Sequence, residues 1–271
     1  MWNKVQETVN YIQSKTNNFK PDFGVILGSG LGGFSEDIQI EYTLEYKDIP
    51  NFPVSTVVGH KGALIFGSIG TKKVLAMQGR FHFYEGYNMQ EVTFPVRVMK
   101  YLGLQNLIVS NASGGVNPNF VVGDVMIITD HINMMPEHPL RGHNDERFGP
   151  RFVNMSEPYS RKMIQSAKEI SKNLNIDVKE GVYVGLQGPT FETLAEYKMV
   201  KAIGGDCVGM STVPEVIVAK HMNMDCFGVS VITDMGDVEN IEEVNHEEVL
   251  KAAKKAEPHV RSLIKNLISN F

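Results

Sequence analysis

Short, almost uninterrupted apolar runs recur along this chain, each followed by small or polar residues, and they limit the possible fold more than any other feature. They are Phe23–Leu27, Leu107–Ser110, Val125–Ile128, Gly181–Leu186 and Phe227–Ile232. A strand with one wet face alternates apolar and polar residues. A run without that alternation is covered on both faces, which calls for helices on each side of a sheet. Helical stretches do lie between the runs, at Ser160–Leu174, Phe191–Ile203, Pro214–Met222 and from Asn245 to the C-terminus, where Pro258 is expected to bend or interrupt the helix. Trp2, Val5, Val9, Tyr11 and Ile12 are spaced for an N-terminal helix, and Gln90–Leu102 for another with an early break at Pro95. Ala63–Gly67 and Val74–Met77 read as strands paired around the Ile69-Gly-Thr-Lys72 turn. With no linker or repeat in view, the expectation is an α/β fold: a single domain over residues 1–271 with a central, largely buried sheet flanked by helices.

Charge and composition exclude several classes of function. The formal net charge is −5, so no global attraction to nucleic acid or to an anionic membrane is expected, and an anionic substrate must be captured by local groups. No apolar run reaches the roughly 18 residues that span a bilayer. Residues 1–20 carry no apolar segment of the signal-peptide kind, and Cys207 and Cys226 sit in apolar contexts without metal-ligand spacing. The expectation is a cytoplasmic protein with buried free thiols. There is no HExxH, no Cys/His cluster and no GxSxG. No metal and no cofactor are expected.

Six segments at strand ends carry candidate chemistry. Gly28-Ser-Gly-Leu-Gly-Gly33 follows a buried strand, and its backbone N–H groups and the Ser29 hydroxyl can converge on an anion. It matches the dinucleotide fingerprint literally, but only Phe34–Asp37 could be helical after it, so an inorganic phosphate cradle fits better than a cofactor; a plain glycine turn fits equally well. In Gln78-Gly-Arg-Phe-His-Phe-Tyr-Glu-Gly-Tyr87, Arg80 can grip a phosphate with two hydrogen bonds and His82 can donate another, unless they are a surface arginine and a satisfied loop histidine. Asn111-Ala-Ser-Gly-Gly-Val-Asn117 offers backbone amides or is merely a tight connection. In Gln187–Thr193, Phe191 can stack on a base and Glu192 can accept N–H groups; alternatively Thr190 caps a helix and Glu192 complements its dipole. Gly209–Glu215 supplies the Ser211 hydroxyl, with Met210 as core or as an apolar floor. Thr233 and Asp234 end an apolar strand, with His246 downstream.

Taken together, these segments resemble the purine nucleoside phosphorylases of the trimeric, mammalian-like type. The resemblance runs from about Phe23 to Val249 and includes Ile49-Pro-Asn-Phe-Pro53, Gly59-His60, Thr93-Phe-Pro-Val-Arg97 and Asn144-Asp-Glu-Arg-Phe148. It implies a nucleoside phosphorylase-like mixed sheet and a homotrimer. Phosphate would be held by Ser29, Arg80, His82, the backbone at Ala112 and Ser211, with His60 near its entrance. The ribose would be bounded by Tyr84 and Met210, with His246 toward the 5′-hydroxyl, and Phe152 would reach into a neighbouring subunit's sugar site. The base would stack near Phe191, with Tyr183 close by, and be read by Glu192, Thr233 and Asp234. Phosphate is then a co-substrate that attacks C1′ of the sugar, with His82, Glu192 and Asp234 as the catalytic groups and the leaving purine stabilised at N7.

Asp234 departs from that pattern, in which 6-oxopurine enzymes usually carry asparagine. Asparagine can donate to N7 and O6; an ionised aspartate can only accept, which suits the 6-amino group of adenine. Methylthioadenosine phosphorylases place an aspartate at the similar position but lack counterparts of Glu192 and His246. The expectation is therefore inosine and guanosine as main substrates, with adenosine tolerated more than is usual. A nicotinamide-dependent dehydrogenase and a non-catalytic nucleoside-binding protein are weaker alternatives. Ser113 and Met235 are smaller departures without an interpretation from sequence, and the segment Pro136–Pro150, without apolar periodicity, is the candidate lid.

Overall fold

The computed structural model describes residues 1–56, 61–236 and 245–271. In chain order the elements are α1 (Trp2–Lys15), β1 (Phe23–Ile26), β2 (Gln39–Glu45), β3 (Ala63–Ile69), β4 (Lys72–Gln78), α2 (Met89–Val92), α3 (Phe94–Tyr101), β5 (Asn106–Gly115) and β6 (Val125–Asn133). They continue with α4 (Arg161–Asn173), β7 (Val178–Gly185), α5 (Leu194–Ala202), β8 (Cys207–Gly209), α6 (Val213–His221), β9 (Asp225–Met235) and α7 (His246–Asn270). The strands form one mixed sheet in the order β2-β3-β4-β1-β5-β8-β7-β6-β9. β5 pairs in parallel with β9 over its full length, so the sheet closes on itself through β5, β8, β7, β6 and β9.

The uninterrupted apolar runs arise from two cores on opposite faces of this sheet. Along β1 and β4, Phe23, Val25, Val74 and Ala76 enter the core under α4 and α7, while Ile26, Leu75 and Met77 enter the core under α1, α3 and α6. Successive side chains of a strand point to opposite faces, so with both faces buried every position is apolar. The Ile69–Lys72 turn closes β3 on β4, with Gly70 at φ 59°. The expected helix over 90–102 breaks at Thr93, and Pro95 stands in the first turn of α3, where its missing N–H costs nothing.

Two sequence expectations are corrected here. α7 runs uninterrupted through Pro258, because Ala253, Ala256, Val260, Leu263 and Ile264 bury both of its halves against the same core. The strand expected to stop at Ser110 continues through Gly115, since β9 and β8 pair with Asn111–Gly115 and satisfy a backbone that reads as loop. Pro136–Pro150 is also not placed as a lid. Phe148 is buried edge-on against Trp2 and Tyr101, with the Arg97 guanidinium 4.7 Å from its ring, and the segment docks on α1 and α3. Both cysteines are buried and free. Among the described residues no helix is long and apolar enough to cross a membrane.

Candidate active site

A cavity of about 640 Å³ opens where β1, β4, β5, β8 and β9 end, which is the usual place for ligand sites in α/β sheets. One wall is the glycine loop after β1. A Cβ on Gly28 would fall 2.6 Å from the Ser110 carbonyl oxygen, so only glycine lets the loop lie against β5. Gly30 has φ 75°, and a Cβ there would come 2.6 Å from Cβ of Ala253 on α7. The loop is thus pinned between β5 and α7, and the Gly33 N–H donates to Glu257 Oε1 at 2.6 Å. Ser29 lines the cavity. The loop leads into a 3₁₀ turn, Gly32–Asp37, and then into β2, antiparallel to β3, rather than into the long helix a dinucleotide site needs.

Arg80 and His82 leave β4 and line the same end. Arg80 is 2% exposed; its Nη1 donates to the Ser110 carbonyl at 2.8 Å and to Ser211 Oγ at 2.9 Å, and its Nε lies 3.1 Å from Oε1 of the equally buried Glu215. A buried guanidinium requires such a counter-charge, and Glu215 on α6 provides it. His82 stacks on Tyr84 with ring centroids 4.7 Å apart, and its Nδ1 is 3.1 Å from Glu85 Oε1. Burial pulls the His82 pKa down against the pull of Glu85. Burial works to raise the Glu85 pKa, but hydrogen bonds from His82 and Thr56 outweigh it and hold the carboxyl at about 2. A neutral ring with its Nδ1–H on Glu85 has Nε2 as an acceptor, whereas a protonated ring donates from both nitrogens.

The opposite end carries two carboxyl groups. β5 and β9 slip register between Ser113/Ile232 and Gly114/Asp234, which leaves Thr233 as the extra residue of a bulge that turns Asp234 into the cavity. A Cβ on Gly114 would lie 2.7 Å from Asp234 Oδ2, so the carboxyl lies flat on the β5 backbone. The Thr233 hydroxyl donates to Asp234 Oδ1 at 3.0 Å, and the Tyr197 phenol lies 3.5 Å from Oδ2. Burial raises the Asp234 pKa. Burial, with the nearby charges of Asp234 and Glu196, pushes the Glu192 carboxyl up to about 7. The capping alternative for this segment is corrected: Thr193, not Thr190, caps α5 in a reciprocal box with Glu196, leaving Glu192 and the half-exposed Phe191 outside the helix to line the cavity.

Tyr84, Ala112, Met210, Ser211, Thr233 and His246 also line the cavity. His246 is the first residue of α7, whose cap is Asn245. One expected site residue is placed differently. Tyr183 does not border the cavity; it is fully buried behind it, where its hydroxyl accepts the Ser211 N–H at 3.3 Å. Phe152 is 89% exposed and outside this chain's own cavity. His60 lies outside the described residues.

A model of the phosphorylase superfamily matches residues 22–269. Purine nucleoside phosphorylase 1 of Geobacillus stearothermophilus is 47% identical, covering 98% of this chain and 97% of its own length. The purine nucleoside phosphorylase of Bos taurus is 48% identical over 98% of this chain and 94% of its own. The chain belongs to the purine nucleoside phosphorylases of that superfamily. The crystal structure of isoform 2 of the Schistosoma mansoni purine nucleoside phosphorylase, in complex with cytosine and ribose-1-phosphate, superposes with a TM-score of 0.95 at 41% identity, covering 100% of this chain and 97% of that one. A second Schistosoma mansoni structure, in complex with adenosine, gives a TM-score of 0.93 at 41% identity, covering 98% of this chain and 96% of that one.

Four residues of the site are not evident from the sequence. Glu215 sits in the first turn of α6, where an acid ordinarily complements the dipole. Glu85 stands three residues after His82 at capping-box spacing. Asn111 and Tyr197 give no signal beyond residue type.

Proposed function

We propose that this chain catalyses phosphate-dependent cleavage of the N-glycosidic bond of (deoxy)inosine and (deoxy)guanosine, with adenosine also accepted, yielding the free purine and (deoxy)ribose 1-phosphate. The observation that carries this reading is one cavity with a buried, counter-charged Arg80 between Ser29 and Ser211 at one end and Phe191, Glu192 and Asp234 at the other. Inorganic phosphate is held by Ser29, Arg80, Ser211 and the N–H at Ala112, and a protonated phosphate oxygen donates to Nε2 of His82. The ribose lies among Tyr84, Met210 and His246. A phosphate oxygen attacks C1′ as the C1′–N9 bond breaks, and the electron pair leaves with the purine. No protein nucleophile is needed. Orientation and electrostatics supply the catalysis, the phosphate facing the cationic sugar and the carboxyl end holding the base.

A 6-oxopurine requires Glu192 ionised to accept its N1–H and Asp234 protonated to donate toward N7, the form that burial of Asp234 favours. The 89% exposure of Phe152 supports a trimer in which it enters the neighbouring sugar site, and the two buried free thiols fit a cytoplasmic enzyme. Asp234 alone favours methylthioadenosine as substrate; Glu192 and His246, both in the cavity wall, weigh against it. The deciding assay is base release from inosine, guanosine, adenosine and methylthioadenosine, each with and without phosphate. Phosphate-dependent release from inosine or guanosine is the expected result. Release from methylthioadenosine alone, or release independent of phosphate, would overturn the proposal.

A further inference from the structure

Behind the phosphate end lies a run of buried polar side chains whose hydrogen bonds have fixed directions. The Ser230 hydroxyl donates to Asn111 Oδ1 at 2.5 Å, because an amide oxygen can only accept. Its proton is therefore committed, and Ser113 Oγ, 2.6 Å away, is the donor to Ser230. On the other side Asn111 Nδ2 can only donate, and it does so to Thr212 Oγ1 at 2.8 Å. Thr212 therefore keeps its own proton, which it can donate to Ser211 Oγ, 3.2 Å away. Ser211 Oγ also accepts from Arg80 Nη1 at 2.9 Å, so when Thr212 donates to it both of its lone pairs are occupied and its own proton is directed into the cavity it lines. Thr212 is held in an uncommon backbone geometry, φ 70° and ψ −53°, with the Val213 N–H bonded back to the Ser211 carbonyl at 2.7 Å. A β-branched residue stays in such a tight γ-turn only where its surroundings hold it, and the Asn111 amide is one of those holds.

We propose that Asn111 is a positioning residue that sets the polarity of the phosphate end, leaving Thr212 its proton for Ser211 and so freeing Ser211 to present a proton rather than a lone pair to an oxyanion. This rests on the reading above that phosphate binds at Ser211. The opposite amide orientation would reverse each bond from Thr212 onward and turn a lone pair toward the anion. The Ser113 hydroxyl thereby acquires a role: it donates to Ser230, which supports the productive orientation.

Asn111→Asp tests the inference with almost no change in volume. A carboxylate accepts from both neighbours, so the Thr212 proton turns toward it, the Ser211 proton turns toward Thr212, and the cavity loses its donor. Loss of one hydrogen bond to a charged group predicts that KM for phosphate rises roughly tenfold to a hundredfold while KM for the nucleoside stays within twofold. Ser230→Ala, which only frees the amide to rotate, should give a severalfold rise. Phosphate binding measured directly by calorimetry should weaken in the same order, and thermal unfolding without phosphate establishes that each variant is folded. A folded Asn111→Asp variant with wild-type phosphate affinity overturns the inference. If that variant does not fold, wild-type affinity in Ser230→Ala overturns it. A wild-type chain that binds phosphate without cleaving any nucleoside refutes the enzymatic reading instead, and the calorimetric series then decides the polarity alone.

Discussion

The carboxyl pair makes the base preference a function of pH. Holding Glu192 at about 7 instead of its ordinary 4.5 corresponds to about 3 kcal/mol in favour of the neutral acid. A 6-oxopurine needs the ionised form, because its N1 carries a proton to donate. One unit below the pKa only about a tenth of the sites are ionised, so kcat/KM for inosine should climb about tenfold per pH unit up to neutrality and then level off. Adenosine has an unprotonated N1 and should be served better by neutral Glu192, so its kcat/KM should not share that climb. Phosphate titrates in the same range but acts on both substrates alike, and the inosine-to-adenosine ratio removes it. Asp234→Asn replaces an acid that must be protonated to donate toward N7 with a permanent donor. The ratio at pH 7 should increase by roughly an order of magnitude. Initial rates on both nucleosides from pH 5.5 to 8.5, in wild type and variant, measure all of this. A ratio independent of pH in the wild type, or one that Asp234→Asn leaves unchanged, would refute the reasoning; because the two acids interact, the fitted values belong to the pair.

Glu215→Gln should remove a counter-charge from the buried Arg80 and cost about 3–5 kcal/mol of stability, with phosphate raising the melting temperature more in the variant than in wild type; an equal phosphate increment would count against Glu215 as a counter-charge. Gly30→Ala combines a positive φ with a contact 2.6 Å from Ala253, so a loss of about 1–3 kcal/mol is expected in thermal unfolding, together with weaker phosphate binding as α7 is pushed off the loop. Phe152→Ala should raise KM for nucleoside roughly tenfold or more without lowering the melting temperature, since a side chain 89% exposed contributes little to its own fold; unchanged nucleoside kinetics would remove it from the neighbouring site.

Arg80, Glu192 and Ser211 are legible in the sequence because each comes after an apolar run, and strand ends in a buried sheet are where polar side chains can meet a ligand. Their supports are not. Glu215 is far from Arg80 in the chain and becomes its partner only because α6 packs beside the end of β4, and nothing local distinguishes it from an acid that complements a helix dipole. Asn111–Gly115 reads as loop, since small and polar residues carry no strand propensity; partners on both sides hold it extended regardless. The same override keeps α7 helical through Pro258. Tyr183 shows the converse limit: the resemblance places it near the base, yet it acts through Ser211 from behind the wall, a difference of one layer that residue type cannot encode. Pro136–Pro150 reads as a lid because its buried residues, Pro139 and Phe148, leave no periodic pattern.

The two ends of the cavity are built on opposite electrostatic terms, and the fold explains how one pocket holds both. The phosphate end takes its cation from β4 and neutralises it from α6, with donors from the β1 loop and from Ser211 after β8. The base end takes its acids from the β9 bulge and from the turn before α5, and desolvates them until at least one keeps its proton near neutrality. β5 runs between the two, with Ala112 toward one end and Gly114 against the other, which is why its small residues must be strand rather than loop. In the proposed reaction negative charge enters with phosphate and leaves with the purine. An anion-binding end that is already compensated, and a base end able to supply a proton, lower the cost at both places where that charge resides. The sugar between them needs only to be held, and the residues there, Tyr84 and Met210, carry no charge; burial lifts the Tyr84 phenol to about 12.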